Sequence, residues 1–122
     1  MGGPGEEELA TRISKLIPGS LNLAGKTSPL ESLQVLAQAD VVVTNDSAGQ
    51  HMAALVGAPT VSVFGPTVLE FGYRPWNSKA KIVERKGLAC RPCGKHGHHK
   101  CPIGTHECMK KITATEVIAM ID

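Results

Sequence analysis

The chain has 122 residues, 42% of them hydrophobic and 20% charged, with a formal net charge of +2. That length accommodates one small domain with a core of two or three layers, and the near-neutral balance gives no global reason to bind nucleic acid or a membrane surface. No apolar stretch nears the roughly 20 residues of a membrane-spanning helix, and MGGPGEEELA at the start has neither the basic nor the apolar region of an export signal, so a reducing cytosolic setting is expected.

In chain order, residues 6–17 are predicted as a helix. Leu9, Ile13, Leu16 and Ile17 recur at helical spacing, with acids in the first turn. Pro18-Gly19-Ser20 ends it, and Leu21–Gly25 is a short strand candidate. A second helix starts at SPLE. Ser28 can cap, Pro29 suits the first helical position, and Glu31 completes a capping box. Its apolar face is expected to be Leu30, Leu33, Val35, Leu36 and Ala39. DVVVTN is a continuous β-branched run, as in a strand buried on both faces. A helix from about Gly49 to Val56 follows, with Gly57 as its stop. PTVSVFG is a second buried strand. KAKIVE alternates like an edge strand, and TATEVIAMI, with Thr113 and Glu116 as another capping box, is the last helix.

Strands alternating with helices predict an α/β fold with a parallel sheet and flanking helices. Ligands of such sheets bind beyond the carboxyl ends of the strands. Asp46–His51 follows one strand and Phe64-Gly65-Pro66-Thr67 follows the next, so both segments should open on the same edge. NDSAGQH also leads into a helix N-terminus, where free amides and the helix dipole favour a phosphate. Ser47, Ala48 and Gly49 are small enough for close approach, and the hydroxyls of Thr44 and Ser47 add donors. Asp46 repels a phosphate but suits sugar hydroxyls, which donate to a carboxylate. His51 falls in the first turn or so. The plainer reading is that Asp46 or Ser47 only caps the helix and that His51 is structural.

ADVVVTNDSAGQHMAALVGAPTVSVFGPT resembles the signature of the family 9 glycosyltransferases, the ADP-heptose:lipopolysaccharide heptosyltransferases. The likeness extends to GGPGEEELA, LAGKTSPLESLQVLAQAD and KITATEVIAMID. It implies that the chain is part of the Rossmann-like, C-terminal donor-binding domain of a two-domain GT-B fold. The implied reaction transfers heptose from ADP-heptose, or a related nucleotide-sugar, to the lipopolysaccharide inner core, with inversion and with no required cofactor. Carried over by position, Asp46 holds sugar hydroxyls, Ser47 and the amides after it hold the diphosphate, and His51 lies beside phosphate or sugar. Glu6, or Glu7 if the register slips, sits near the ribose, and Thr67 joins the donor site. Ala48 stands where the family pattern has Gly, a strain of about 1 kcal/mol or more if that position needs a positive φ. The acceptor domain, the catalytic base and the first donor-domain strands of the family have no counterpart here, so the isolated chain is expected to be inactive. An open sheet edge would invite pairing with a second copy as a homodimer. A lipid-linked acceptor implies a cytoplasmic protein, peripheral at the inner face of the inner membrane.

Residues of about 86–111 form a Cys-rich insertion. Cys90, Cys93, Cys101 and Cys108 have one pair at x2 spacing, and a structural zinc site is one reading. Disulfides or free thiols are the others. His96, His98, His99 and His106 could replace a thiolate. Arg85, Lys86, Arg91, Lys95, Lys100, Lys110 and Lys111 surround the group, with Glu107 the sole acid between Arg85 and Lys111. A competing function is therefore a non-catalytic, zinc-stabilised binding module for nucleic acid. The basic residues lack the interleaved aromatics that such a module uses, so no nucleic-acid partner is expected. Phe64, Phe71, Tyr73 and Trp76 are read as covering the core, although Tyr73 and Trp76 lie in a loop where an adenine could lodge.

Overall fold

The computed structural model describes residues 1–121. The chain divides into two compact units, Met1–Val35 and Leu36 onward. Among the described residues, no helix is long and apolar enough to cross a membrane.

In the first unit, α1 (Glu7–Leu16) forms within a residue of its expected bounds. Its apolar stripe is exposed, with Leu9 at 57% and Leu16 at 82%. Leu21–Gly25 is not a strand. Asn22 Oδ1 accepts from the Ala24 amide at 3.0 Å, and Lys26 N–H donates to Leu23 O at 3.1 Å, so the segment turns instead of extending. α2 (Pro29–Leu36) has the expected capping box: Ser28 N–H donates to Glu31 Oε2 at 2.7 Å, and Glu31 N–H to Ser28 Oγ at 3.3 Å. Its inward face agrees with the expected one at Leu36, and Leu33 and Ala39 are half-buried, but it departs from it elsewhere. Ser32 and Leu36 are buried, one turn apart, while Leu30 and Val35 are exposed.

The second unit holds a three-stranded parallel sheet in the order β1 (Val42–Asn45), β2 (Thr60–Phe64), β3 (Ala80–Glu84). β2 lies in the middle and every residue of it is buried. Val61 and Phe64 are 1% and 0% exposed, each contributing about 1.5–3 kcal/mol through burial. The hydroxyls of this strand are paired: Thr60 Oγ1 donates to Ala58 O and Ser62 Oγ to Gln50 Oε1. β1 is less buried than its apolar run predicts, with Val43 51% exposed. As the edge strand of this sheet it is covered on fewer sides than β2.

Between these strands runs α3 (Ala48–Leu55). Gly57 ends it at φ 69°, where a Cβ would be strained. Gly57 N–H donates to Ala54 O and Ala58 N–H to Ala53 O, the paired bonds of a Schellman motif. Leu36, Val42, Ala53 and Ala58 form a core cluster, flanked by Ala39, Met52 and Val56. After β2 comes a single 3-10 turn, Leu69–Phe71. β3 leads into the Cys-rich segment, which includes α4 (Glu107–Lys110), and then α5 (Ala114–Ile118). The Thr113–Glu116 capping box forms as expected. The helix stops short of residue 121 because Met120 and Ile121 donate three residues back, tightening it into a turn.

Candidate functional site

The parallel register places the carboxyl ends of all three strands, Asn45, Phe64 and Glu84, on one edge. A cavity of about 210 Å3 opens there. Asp46, Ser47, Ala48 and His51 line it from the β1–α3 turn, and Thr67 from the segment after β2. Tyr73, Lys95 and His96 complete it. Tyr73 and His96 face each other with ring centroids 5.7 Å apart, tilted by 40°.

Asp46 is half-buried and held by two internal donors. Gln50 Nε2 donates to Oδ1 at 2.6 Å, and the buried Thr67 hydroxyl donates to Oδ2. Gln50 is itself fully buried and also donates to Tyr73 O at 2.8 Å, while accepting from Ser62. The carboxylate is thus fixed in place, yet its remaining lone pairs can accept further donors.

Ser47 occupies the N-cap position of α3 in an extended conformation without a side-chain cap hydrogen bond. Its hydroxyl donates to Asn45 O at 3.3 Å and lies 3.4 Å from Thr44 Oγ1. The cap reading therefore does not account for Ser47, and the first amides of α3 keep no side-chain acceptor from it. Ala48 begins the helix, and His106 is the one non-glycine residue with positive φ among those described, so Ala48 is unstrained. Thr44 and Gly49 stand behind the cavity lining. A Cβ on Gly49 would meet Thr44 Oγ1 at 2.8 Å, so this glycine allows α3 to pack on β1. Glu6 belongs to the first unit, where its carboxylate accepts from Gly3 N–H at 2.7 Å.

Lys95 and His96 were legible in the sequence only as members of the basic, cysteine-rich segment. Their arrival depends on how that segment is tied down. Arg91 donates through Nε and Nη2 to Thr67 O, at 3.1 and 2.7 Å, and through Nη1 to Arg85 O at 2.8 Å. It also pairs with Glu84 at 2.6 Å, its side chain 5% exposed. Cys93 N–H adds a bond to Pro66 O at 2.8 Å. These contacts fix the Cys-rich segment against the strand-end loops. Phe64 covers the core as expected, but Trp76 is 73% exposed, with the Arg74 guanidinium 6.0 Å from its ring.

All four cysteines are free thiols. Cys101 Sγ accepts from His106 N–H at 3.3 Å. That backbone hydrogen bond holds its pKa below the ordinary thiol value. Burial, then the neighbouring Cys90 and Cys101, push Cys108 up. Among the described residues, no three His, Cys, Asp or Glu side chains are placed to hold one ion together.

Larger cavities open beside Arg74 and Trp76, about 420 Å3, and at the opposite strand ends around Asp40 and Lys79, about 380 Å3. The smaller cavity at Asp46 is the one that combines strand carboxyl ends, a helix N-terminus and converging polar side chains, the features that mark a ligand site in an open parallel sheet.

Residues 1–103 match the family model of glycosyltransferase family 9 (heptosyltransferase). The chain is 36% identical over 121 residues to lipooligosaccharide heptosyltransferase 2 of Campylobacter jejuni, covering 95% of this chain and 36% of that protein. It is 32% identical over 120 residues to lipooligosaccharide heptosyltransferase 2 of Haemophilus influenzae, covering 92% and 33%. It thus spans about a third of the length of these relatives. Among solved structures, ADP-heptose lps heptosyltransferase II of E. coli superposes with a TM-score of 0.64 at 26% identity, over 75% of this chain and 31% of that one. The family 9 glycosyl transferase of Veillonella parvula gives 0.69 at 20% identity, over 98% and 33%, a likeness of fold. With the strand-end motif in place and the family model matched over most of its length, the chain belongs to glycosyltransferase family 9, the heptosyltransferases.

Proposed function

We propose that this chain is the donor-binding part of a glycosyltransferase that moves heptose from ADP-heptose, or a related nucleotide-sugar, to the lipopolysaccharide inner core. The observation that carries the reading is the cavity at the strand carboxyl ends, where Asp46, the α3 N-terminus and Lys95 converge. The α3 amides and the Lys95 ammonium suit a diphosphate. Asp46, already oriented by Gln50 and Thr67, accepts sugar hydroxyls with its free lone pairs. His51, His96 and Tyr73 flank the same space. At about 210 Å3 the cavity is smaller than the ~300–1,000 Å3 of a typical ligand site. It suits the diphosphate and part of the sugar.

No residue lining the cavity is assigned as the catalytic base, and the acceptor is assigned to portions of the relatives that this chain does not span. The isolated chain should therefore bind donor weakly and transfer nothing. No cofactor is assigned to the transfer step. A cytoplasmic location, peripheral at the inner membrane, follows from the lipid-linked acceptor, and pairing of two copies through the β1 edge is part of the same proposal. The nucleic-acid module reading loses support because much of the basic surface is spent internally: Arg85 pairs with Glu116, Arg91 with Glu84 and Lys111 with Glu107.

Calorimetric titration of the chain with ADP tests the reading. Weak saturable binding that is lost in Lys95→Ala and reduced in His51→Ala supports it. Binding indifferent to both substitutions, or no binding at millimolar ADP, would overturn it.

A further inference from the structure

The Cys-rich segment carries a feature that donor binding does not use. Cys90, Cys93, Cys101 and Cys108 all line one cavity of about 50 Å3, together with His98 and His106. The four thiols come from three separate places. Cys90 and Cys93 lie on the turn after β3, Cys101 on a second turn, and Cys108 on α4. A segment without a regular sheet or long helix has thus brought every cysteine of the chain to the wall of one cavity.

Both turns carry a left-handed glycine. Cys93 is followed by Gly94 at φ 73°, and Cys101 is followed three residues on by Gly104 at φ 73°. Left-handed glycines after a cysteine curl the backbone so that amides face the sulfur. At Cys101 that bond is present, from His106 N–H to Sγ at 3.3 Å. His106 itself sits at φ 51°, unusual for a residue with a Cβ. It is the N-cap of α4, so the same unusual conformation both donates to Cys101 and directs the helix that carries Cys108. Amide donors stabilise an anionic sulfur. A disulfide sulfur has no comparable need of them.

We propose that Cys90, Cys93, Cys101 and Cys108 form a four-thiolate structural site for a zinc ion. In the thiol form shown, no three of these side chains converge on one point closely enough to share an ion. Binding turns the sulfurs inward to about 2.3 Å from the metal, in tetrahedral geometry. The site has no open position and no substrate. Its role is to hold a segment that has little other regular structure, from the Arg91 anchor to α4. His98 and His106 line the cavity without ligating.

The test uses the full 122-residue chain, reduced and purified without added metal, then titrated with zinc and with cobalt(II). The expected result is one ion per chain, visible thiolate-to-cobalt charge transfer with tetrahedral d–d bands, and four thiols protected from a thiol reagent until a chelator is added. Cys101→Ser should weaken cobalt binding by ~100-fold or more, beyond the 10–100-fold of an outer-shell change. His98→Ala should keep both stoichiometry and spectrum. If Cys101→Ser fails to fold, the wild-type titration decides alone. Four reactive thiols with no bound ion, two disulfides in the reduced-purified protein, or loss of the spectrum in His98→Ala would overturn the assignment. None of these outcomes depends on ADP binding, so the donor-site reading stands or falls separately.

Discussion

Gln50 Nε2 donates to Asp46 Oδ1 at 2.6 Å, and the same side chain reaches Tyr73 O and Ser62 Oγ. One fully buried amide therefore ties the β1–α3 turn, the middle strand and the loop that brings Tyr73 to the cavity. Its oxygen and nitrogen are both used, so its orientation follows from its partners. Replacing it with Leu removes three hydrogen bonds and leaves the Ser62 hydroxyl without its buried acceptor. Gln50→Leu should lower stability by about 2–3 kcal/mol in urea denaturation. A loss under about 0.5 kcal/mol, the range of an ordinary surface substitution, would show that the network is incidental.

Gly97 is a test of how Lys95 and His96 are placed. It has φ 76°, and a Cβ there would lie 2.7 Å from Pro66 Cγ. Gly97→Ala must therefore strain the backbone and push the segment off the loop after β2. The expected cost is about 1–2 kcal/mol. ADP affinity should fall several-fold although no cavity-lining residue has changed. Unaltered affinity would mean that Lys95 and His96 are not part of the site.

Acid should weaken the fold through two carboxylates. Glu116 is held below the usual carboxylate pKa by the Thr113 amide, then by its hydroxyl and by Arg85. Glu31 is held low by the amide and hydroxyl of Ser28. A lowered folded-state pKa means that the stabilisation is complete above the unfolded value, near 4.5, and is lost as pH falls through the folded value. Melting temperature should thus drop from pH 5 downward, with a shallower drop in Glu116→Gln. An acid limb identical in slope for the variant would remove Glu116 from this account.

Chelation should act locally. If zinc holds the four thiols, stripping it should speed hydrogen exchange in residues 86–111 while the amides of β2 stay protected. The hydrogen bonds of Arg91 and Cys93 that tie the Cys-rich segment to Thr67 O and Pro66 O lie outside the strand ladder itself. Loss of protection across β2 on chelation would show instead that the sheet needs the metal to fold.

The parallel sheet was legible because its signals are local. TVSVF is apolar or small throughout, Gly57 stops α3, and both capping boxes read directly as Ser28–Glu31 and Thr113–Glu116. The errors came where local pattern and environment part. Leu21–Gly25 looks extended, but Asn22 captures an amide and makes a turn. DVVVTN looks doubly buried, yet at the edge of this sheet Val43 is exposed. Ser47 has a capping residue's identity without making the cap. Asp46, Ser47, His51 and Thr67, which line the cavity, were legible as candidates because they lie in the segments that follow the carboxyl ends of β1 and β2. Lys95 and His96 were not, because they arrive from 28 or more positions beyond Thr67, through contacts of Arg91 with Thr67 O that no spacing announces. Gln50 was missed because a single glutamine in a short helix carries no pattern of its own.

The central claim is that the strand-end cavity at Asp46 is the donor site, and amide NMR of the chain under ADP titration tests it most directly. The account predicts progressive shifts at residues 46–51, 65–67 and 95–96, with weak affinity because only part of the donor is held. Shifts confined to residues 98–108, or to the cavity beside Arg74 and Trp76, with 46–51 unmoved, would contradict it.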